Sequence, residues 1–394
     1  MVASDPSNHL DPAQTRGFQS NLILREPGAF ITQGVKYAGA KTRLISAILD
    51  HIDAPHGARI IDAFSGTTRV SQALAKCHYA VISNDISEWS ECFAKAFLLG
   101  SLSSTNFQEI IEHLNNQHPI DGWFTDTYGG SNDATSPVER DGTRRIWQRH
   151  NSMRIDAIRA EIDTLNLSDI DKSVCLTSLI LAADKVDSTV GHYASYLRDW
   201  APRSYNSLKL EVPKLCPPTT ACHEVTRCDA RDALAQSISC YATYLDPPYG
   251  SNNDKMPASR VRYASYYHIW KTLILNDRPE ITGKAQRRAD CSDNLVRNPY
   301  EDFRRDFDGD LVAKKALATT IGEVKSDILV LSYSSEGRVP FNDVFDILSE
   351  WGSRVTISEV DHKRNVMSTM HWTGQWRPDN PKKLTEYLFR AERR

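Results

Sequence analysis

The 394-residue sequence contains no run of 18 or more apolar residues, so no transmembrane helix is expected. It has little net charge, −3 from 47 basic and 50 acidic side chains. Any surface for nucleic acid therefore has to be local rather than global. The N-terminal MVASDPSNHLDPAQTRGF lacks the basic-then-apolar layout of a signal peptide. None of the eight cysteines forms a CxxC pair. Cys216, Cys222 and Cys228 recur every six residues beside His223, outside the usual zinc spacings, so no metal site is expected. Cys77, Cys92, Cys175 and Cys240 sit in apolar or helical patterns and read as small hydrophobes, as in a reduced, cytoplasmic protein. The chain has neither the GxGxxG of dinucleotide-binding folds nor the GK[ST] of P-loops. Internal repeats and low-complexity tracts are also missing.

What is present is ordinary globular composition, 40% hydrophobic and 25% charged, on a chain long enough for two domains or one domain with insertions. Residues 1–30 read as a polar arm. After it, ARIIDAF (58–64), TTRVSQALAKC (67–77) and YAVISND (79–85) alternate strand, helix and strand, which predicts a parallel sheet. Residues 100–218 hold helices and loops but few strand candidates, and read as an inserted helical domain. In that region, 172–197 reads as one long helical stretch with a bend at Gly191. Strand signals return at 223–228, 241–248, 328–337, 354–360 and 385–391, interrupted by a polar insertion at 251–300. Six arginines fall within 140–159, among them Arg140, Arg144, Arg145 and Arg149, and Lys and Arg are frequent again in 255–305. A solvated helix face and a nucleic-acid surface both fit such runs.

Four short stretches carry candidate chemistry. In DAFSGTT (62–68), Asp62 closes a strand and Gly66 allows a tight turn before a helix, whose amides would face a ligand. In ISND, Asp85 ends the next strand, where an acid accepts hydrogen bonds from ribose hydroxyls or simply caps a helix. In VKYAGAK (35–41), small residues precede Lys41 at an expected helix start. A cation there opposes the helix dipole, which suggests an anionic ligand; a solvent-facing lysine is the plainer alternative. In TYLDPPYG (243–250), Asp246 follows a buried strand, and Pro247 and Pro248 stiffen the strand end without adding donors. Tyr249 offers a flat ring beside them. An amino group on an aromatic base needs just such acceptors and such a stacking surface.

In this order the motifs resemble the Dam-type, alpha-group DNA N6-adenine methyltransferases. KYAGAK, DAFSGTT, NDI, a helical insertion, CDA (228–230) and DPPY follow one another as they do in that family, over roughly residues 31 to 391. The resemblance implies an α/β fold: a Rossmann-like, seven-stranded S-adenosylmethionine-dependent methyltransferase sheet, with TEYLFRA as its antiparallel strand. It implies a catalytic domain of 31–99 and 219–394 and an inserted, mainly helical target-recognition domain of 100–218, with 251–300 as a further DNA-contacting insertion. S-adenosylmethionine would be held by Tyr37, Gly39, Lys41, Asp62, Phe64, Ser65, Gly66, Asp85, Asp229 and Asp246, with Lys41 near its carboxylate. Asp246, Pro247, Pro248 and Tyr249 would hold a flipped-out adenine. Arg140, Arg144, Arg145, Arg149, Arg260 and Arg262 would contact double-stranded DNA. A restriction endonuclease of the same system is an implied companion, without direct contact. Departures from the family pattern are Tyr37 for Trp, Ala40 for Gly, and Thr67 with Thr68 where a second Gly is common. N4-cytosine or RNA methylation and a non-catalytic DNA-binding module remain open on sequence alone.

Overall fold

The computed structural model describes residues 30–131, 135–194, 197–218, 222–237, 240–250, 252, 263–291, 298–362 and 384–393. The arm before Phe30 lies outside the described residues, as do Arg260 and Arg262. The apolar runs become strands β1 (Arg59–Asp62), β2 (Ala80–Asn84), β3 (Glu224–Thr226) and β4 (Ala242–Leu245). A small antiparallel hairpin follows, β5 (Ile281–Thr282) with β6 (Arg287–Arg288). Strands β7 (Ile328–Ser334), β8 (Gly352–His362) and β9 (Leu384–Arg393) complete the set.

Seven of these form one sheet in the order β3-β2-β1-β4-β7-β9-β8. The first five pair in parallel, and β9 runs antiparallel between β7 and β8. Successive residues of the central strands feed opposite layers, as a period of two requires. Ile60, Tyr244 and Val330 face α1 (Ile45–Ile52) and α2 (Arg69–Lys76). Ile61, Leu245 and Leu331 join a separate cluster with α8 (Ala230–Gln236), α11 (Val312–Gly322) and α12 (Phe341–Trp351). With both faces covered, the strands read as unbroken apolar runs instead of alternating ones. The fold is mixed α/β with a mostly parallel sheet, as the sequence leads one to expect.

A third cluster belongs to the helical region. It joins α3 (Glu88–Ala94) to α4 (Phe107–Asn115), α5 (Trp123–Tyr128), α6 (Arg149–Thr164), α7 (Asp169–Lys185) and α10 (His268–Leu275), around the fully buried Trp147 and Trp270. The core of 100–218 is thus continuous with α3, directly after β2, and with α10. From the 251–300 insertion, Tyr267, Ile269, Trp270 and Leu273 join this core, with Tyr267 and Trp270 stacked at 4.4 Å between ring centroids, while much of 275–284 is exposed.

The run at 172–197 is not one helix, because α7 ends at Lys185. Beyond it the backbone turns to deliver the buried Asp187 to two cations, Lys36 Nζ at 3.0 Å and Arg203 Nη2 at 2.6 Å. An apolar pattern carries no signal for that turn, because Lys36 is 151 residues away.

Candidate active site

The connection order reverses between β1 and β4, which are neighbours in the sheet. Ligands of open α/β sheets bind beyond the carboxyl ends of the strands at such a point. Asp62 ends β1 and Asp246 directly follows β4, so the two carboxylates stand side by side there. They line a cavity of about 590 Å³, together with Tyr37, Gly39, Lys41, Phe64, Ser65, Gly66, Asp85, Asp229 and Pro247–Tyr249. That volume lies in the range of cofactor and drug-sized ligand pockets. All ten expected cofactor residues and the four of the DPPY tetrad therefore meet at one cavity.

The wall is built by short backbone and side-chain bonds. Ser65 N–H donates to the Asn84 carbonyl at 2.8 Å, holding the β1 turn against the end of β2. Gly66, at φ +50°, donates its N–H to Asp85 Oδ2 at 2.9 Å, and Ser87 N–H donates to Asp85 Oδ1 at 2.9 Å. Ser87, and not Asp85, is the N-cap residue of α3. Asp85 closes the floor between the two turns, and burial raises its carboxyl pKa above the ordinary value. Asp229 caps α8 by accepting from Arg231 N–H at 2.9 Å and also pairs with Arg231 Nε. Gly39 has φ +84°, and a Cβ there would come 3.0 Å from the Tyr263 hydroxyl, so both conformation and space favour glycine. Tyr37 stacks on Tyr267 at 4.6 Å, and Tyr267 accepts the Ala38 N–H at 2.7 Å. Tyr263, in α9 (Tyr263–Tyr266), and Tyr267 come from the stretch after the tetrad.

Besides Asp85, the buried Asp62 and the largely buried Asp246 face the cavity with raised pKa values. Burial pushes Asp62 up to about 7, opposed by the hydrogen bond its Oδ2 receives from Ser71 Oγ at 2.6 Å. Its Oδ1 is buried without a partner among the described residues, as are Ser65 Oγ and the Tyr244 hydroxyl. Burial likewise pushes Asp246 up to about 7; Lys41 works against this and Glu386 adds to it. A raised carboxyl pKa means that the folded state holds a proton the unfolded chain has lost. Stability then falls as pH rises from the unfolded value near 4 through about 7. Asp62→Asn is therefore expected to stabilise the ligand-free protein more at pH 8 than at pH 5, by on the order of 2 kcal/mol in urea unfolding. An equal effect at both pH values would rule out this charge as the cause.

Lys41 does not begin a helix: α1 starts at Ile45, and Lys41 lies in the preceding turn. Its buried ammonium donates to Glu386 Oε1 at 2.8 Å and to the Tyr249 hydroxyl at 3.3 Å, and it pairs with Asp246 Oδ1 at 3.0 Å. An ammonium has three N–H donors, and these partners account for all of them. Burial would lower its pKa, but Asp246 and Glu386 hold it well above the ordinary lysine value. Glu386 was not foreseen from sequence. Nor was Arg69, the first residue of α2, which lines the cavity, donates to the Thr32 carbonyl and keeps a buried Nε without a partner among the described residues.

Several arginines of the run make contacts within the protein while staying partly exposed. Arg145 donates to the Asp126 and Thr127 carbonyls at the end of α5, where a cation suits the helix dipole. Arg149 pairs with Asp121, and Arg144 also has a partner. Arg140 is exposed. Among the described residues, no group of three or more His, Cys, Asp or Glu is arranged to hold a metal, and all eight cysteines are unpaired.

A model of the D12 class N6 adenine-specific DNA methyltransferases matches residues 37–308, from the first cavity residue past the DPPY strand end. The chain belongs to that family. The family is one of methyltransferases, which implies a methyl donor. Among individual relatives, the modification methylase LlaI of Lactococcus lactis subsp. lactis is 26% identical over 334 residues, covering 79% of this chain and 48% of LlaI. The modification methylase StsI of Streptococcus sanguinis is 25% identical over 377 residues, covering 91% of this chain and 52% of StsI. The type II methyltransferase M.NlaIII of Neisseria lactamica is 24% identical over 344 residues, 84% of this chain and 92% of its own length. The chain thus spans about half the length of the first two and most of the third. No helix among the described residues is long and apolar enough to cross a membrane.

Proposed function

We propose that this protein transfers a methyl group from S-adenosylmethionine to N6 of an adenine flipped out of double-stranded DNA, as the modification enzyme of a type II restriction-modification system. The observation that carries this reading is the juxtaposition of Asp246 with Asp62 across the β1–β4 switch point, in a family of N6-adenine methyltransferases. Relatives named as modification methylases and type II methyltransferases support the biological setting.

The residues present fit the cofactor. Asp62 Oδ1 and Ser65 Oγ are buried and have no partner among the described residues, which suits them to an ammonium and to hydroxyls. Asp85 offers its carboxylate to the ribose, and Tyr37 gives the cavity an aromatic wall. Since the donors of Lys41 are taken inside the protein, Arg69 is the cation we assign to the cofactor's carboxylate. S-adenosylmethionine, when bound, supplies an electrophilic methyl group on a sulfonium.

The chain's own residues prepare the nucleophile. The lone pair of adenine N6 is delocalised into the ring. Asp246, whose Oδ1 meets Lys41, accepts one N6 hydrogen, and the Pro247 carbonyl accepts the other. This draws the nitrogen toward tetrahedral geometry and aims its lone pair. Tyr249 stacks on the base, and positioning supplies much of the rate gain. The base reaches the site only after leaving the duplex stack. Exposed Arg140 and the arginines at 260 and 262 are assigned to phosphates, and the helical region 100–218 to target recognition. Binding should then weaken steeply with salt.

The test is transfer of labelled methyl from S-adenosylmethionine to duplex DNA, with the product nucleoside identified by mass spectrometry. N6-methyladenine is the expected product. N4-methylcytosine, or label in RNA but not DNA, would overturn the reading.

A further inference from the structure

Strand β9 is the one member of the sheet that is antiparallel to both its neighbours, and this orientation brings its beginning to the active site. Parallel strands present their carboxyl ends there; β9 presents its amino end, and Glu386 pairs in register with Ser334 at the end of β7. Glu386 is only 2% exposed, yet it is not part of the cavity lining. Its Oε1 accepts from Lys41 Nζ at 2.8 Å and from Ser332 Oγ at 2.7 Å. Lys41 in turn meets Asp246 Oδ1 at 3.0 Å. A buried carboxylate is costly unless it is paired, and here two carboxylates share one ammonium. A lone Lys41–Asp246 pair would satisfy the charges with one acid fewer. The second acid gives the ammonium a fixed partner on β9, so that Lys41 is anchored at both carboxylates and holds Asp246 Oδ1 in place.

We propose that Glu386 is a positioning residue for Asp246, acting through Lys41 to fix the carboxylate that receives the adenine amino group. The assignment rests on the role given to Asp246 above. Glu386 touches neither base nor cofactor in this arrangement. The groups facing Asp246 are Lys41 from the turn before α1, Glu386 from β9, Tyr244 from β4, Tyr249 from the tetrad, Asp62 from β1, and Tyr37 and Tyr263 from the cavity wall. Of these, Glu386 and Asp62 are the acids, and burial keeps Asp62 protonated until pH rises through about 7. Glu386 raises the Asp246 pKa, so removing its charge should let Asp246 ionise at lower pH.

The test compares Glu386→Gln, which can still accept from Lys41 and Ser332 but has no charge, with Ser332→Ala, which keeps the charge and removes one hydrogen bond. Two readouts are taken. One is the carboxyl 13C titration of Asp246 in the ligand-free protein, assigned with Asp246→Asn. The other is the pH profile of single-turnover methylation. In Glu386→Gln both midpoints are expected to move to lower pH, and the plateau rate to fall roughly 10- to 100-fold, with cofactor affinity unchanged. Ser332→Ala should keep the wild-type midpoint. Wild-type midpoints in Glu386→Gln would overturn the proposal, as would a rate loss matched by lost cofactor binding, because that pattern marks a purely structural role. If the wild-type protein does not methylate DNA, the functional reading fails, while the 13C titration still decides whether Glu386 governs Asp246.

Discussion

Replacing Asp246 with alanine is expected to cut single-turnover methylation roughly 1,000-fold or more while leaving S-adenosylmethionine affinity within about threefold of wild type. The two effects separate because different elements carry them. Asp62, Ser65, Gly66 and Asp85 are held by the ends of β1 and β2, through Ser71, Asn84 and Ser87, and none of those bonds involves Asp246. The fold should tolerate the change as well. Lys41 keeps Glu386 and the Tyr249 hydroxyl, and a carboxylate that burial already disfavours is removed. What is lost is the acceptor for N6, the group that makes a poor nucleophile reactive. The measurements are cofactor binding by calorimetry and a rapid-quench methylation assay on the same preparation. Near-wild-type methylation by the variant would remove Asp246 from the mechanism. Loss of cofactor binding along with activity would instead make it a cofactor ligand.

Much of this site is legible in the sequence because it is local. Asp62, Asp85 and Asp246 each close or follow an apolar run, and strand ends in a parallel sheet converge on one edge. The glycine of DAFSGTT and the prolines of DPPY act through their own backbone, so their neighbours in sequence suffice to read them. The order of motifs along the chain then ties the pieces to one family. What sequence hides is set by topology. Glu386 lies 345 residues from Lys41 and reaches it because β9 is reversed. The arginines of 140–159 look like a surface for phosphates, yet Arg159 is buried and donates to the Leu273 and Ile274 carbonyls, closing α10. An arginine that clamps a helix end and one that meets DNA have the same local pattern. Only the fold distinguishes them. The stretch after the tetrad is similar: its aromatic residues suit a nucleic-acid face or a core, and Tyr267 and Trp270 turn out to be core under Tyr37.

Lys41→Met should destabilise the ligand-free protein by about 3–5 kcal/mol at pH 8, because it leaves Asp246 and Glu386 buried without their ammonium. The sign of the pH dependence follows from which groups titrate. Lys41 is held well above the ordinary lysine value and stays charged across the range, so the wild-type pair does not lose its cation between pH 5 and 8. In the variant Asp246, already at about 7, loses the one cation that opposes this shift and rises further. A folded state with raised carboxyl pKa values gains protons relative to the unfolded chain as pH falls, so its stability recovers toward acid. The deficit should therefore shrink to well under half by pH 5, read from urea unfolding at the two pH values. Lys41→Arg should not restore it, since a planar guanidinium does not fit three partners gathered around a compact ammonium. An equal loss at both pH values would place the cost in packing. A ligand-free stability unchanged by Lys41→Met, with only cofactor affinity reduced, would return Lys41 to the cofactor's carboxylate and leave Asp246 held by something other than the Lys41–Glu386 pair.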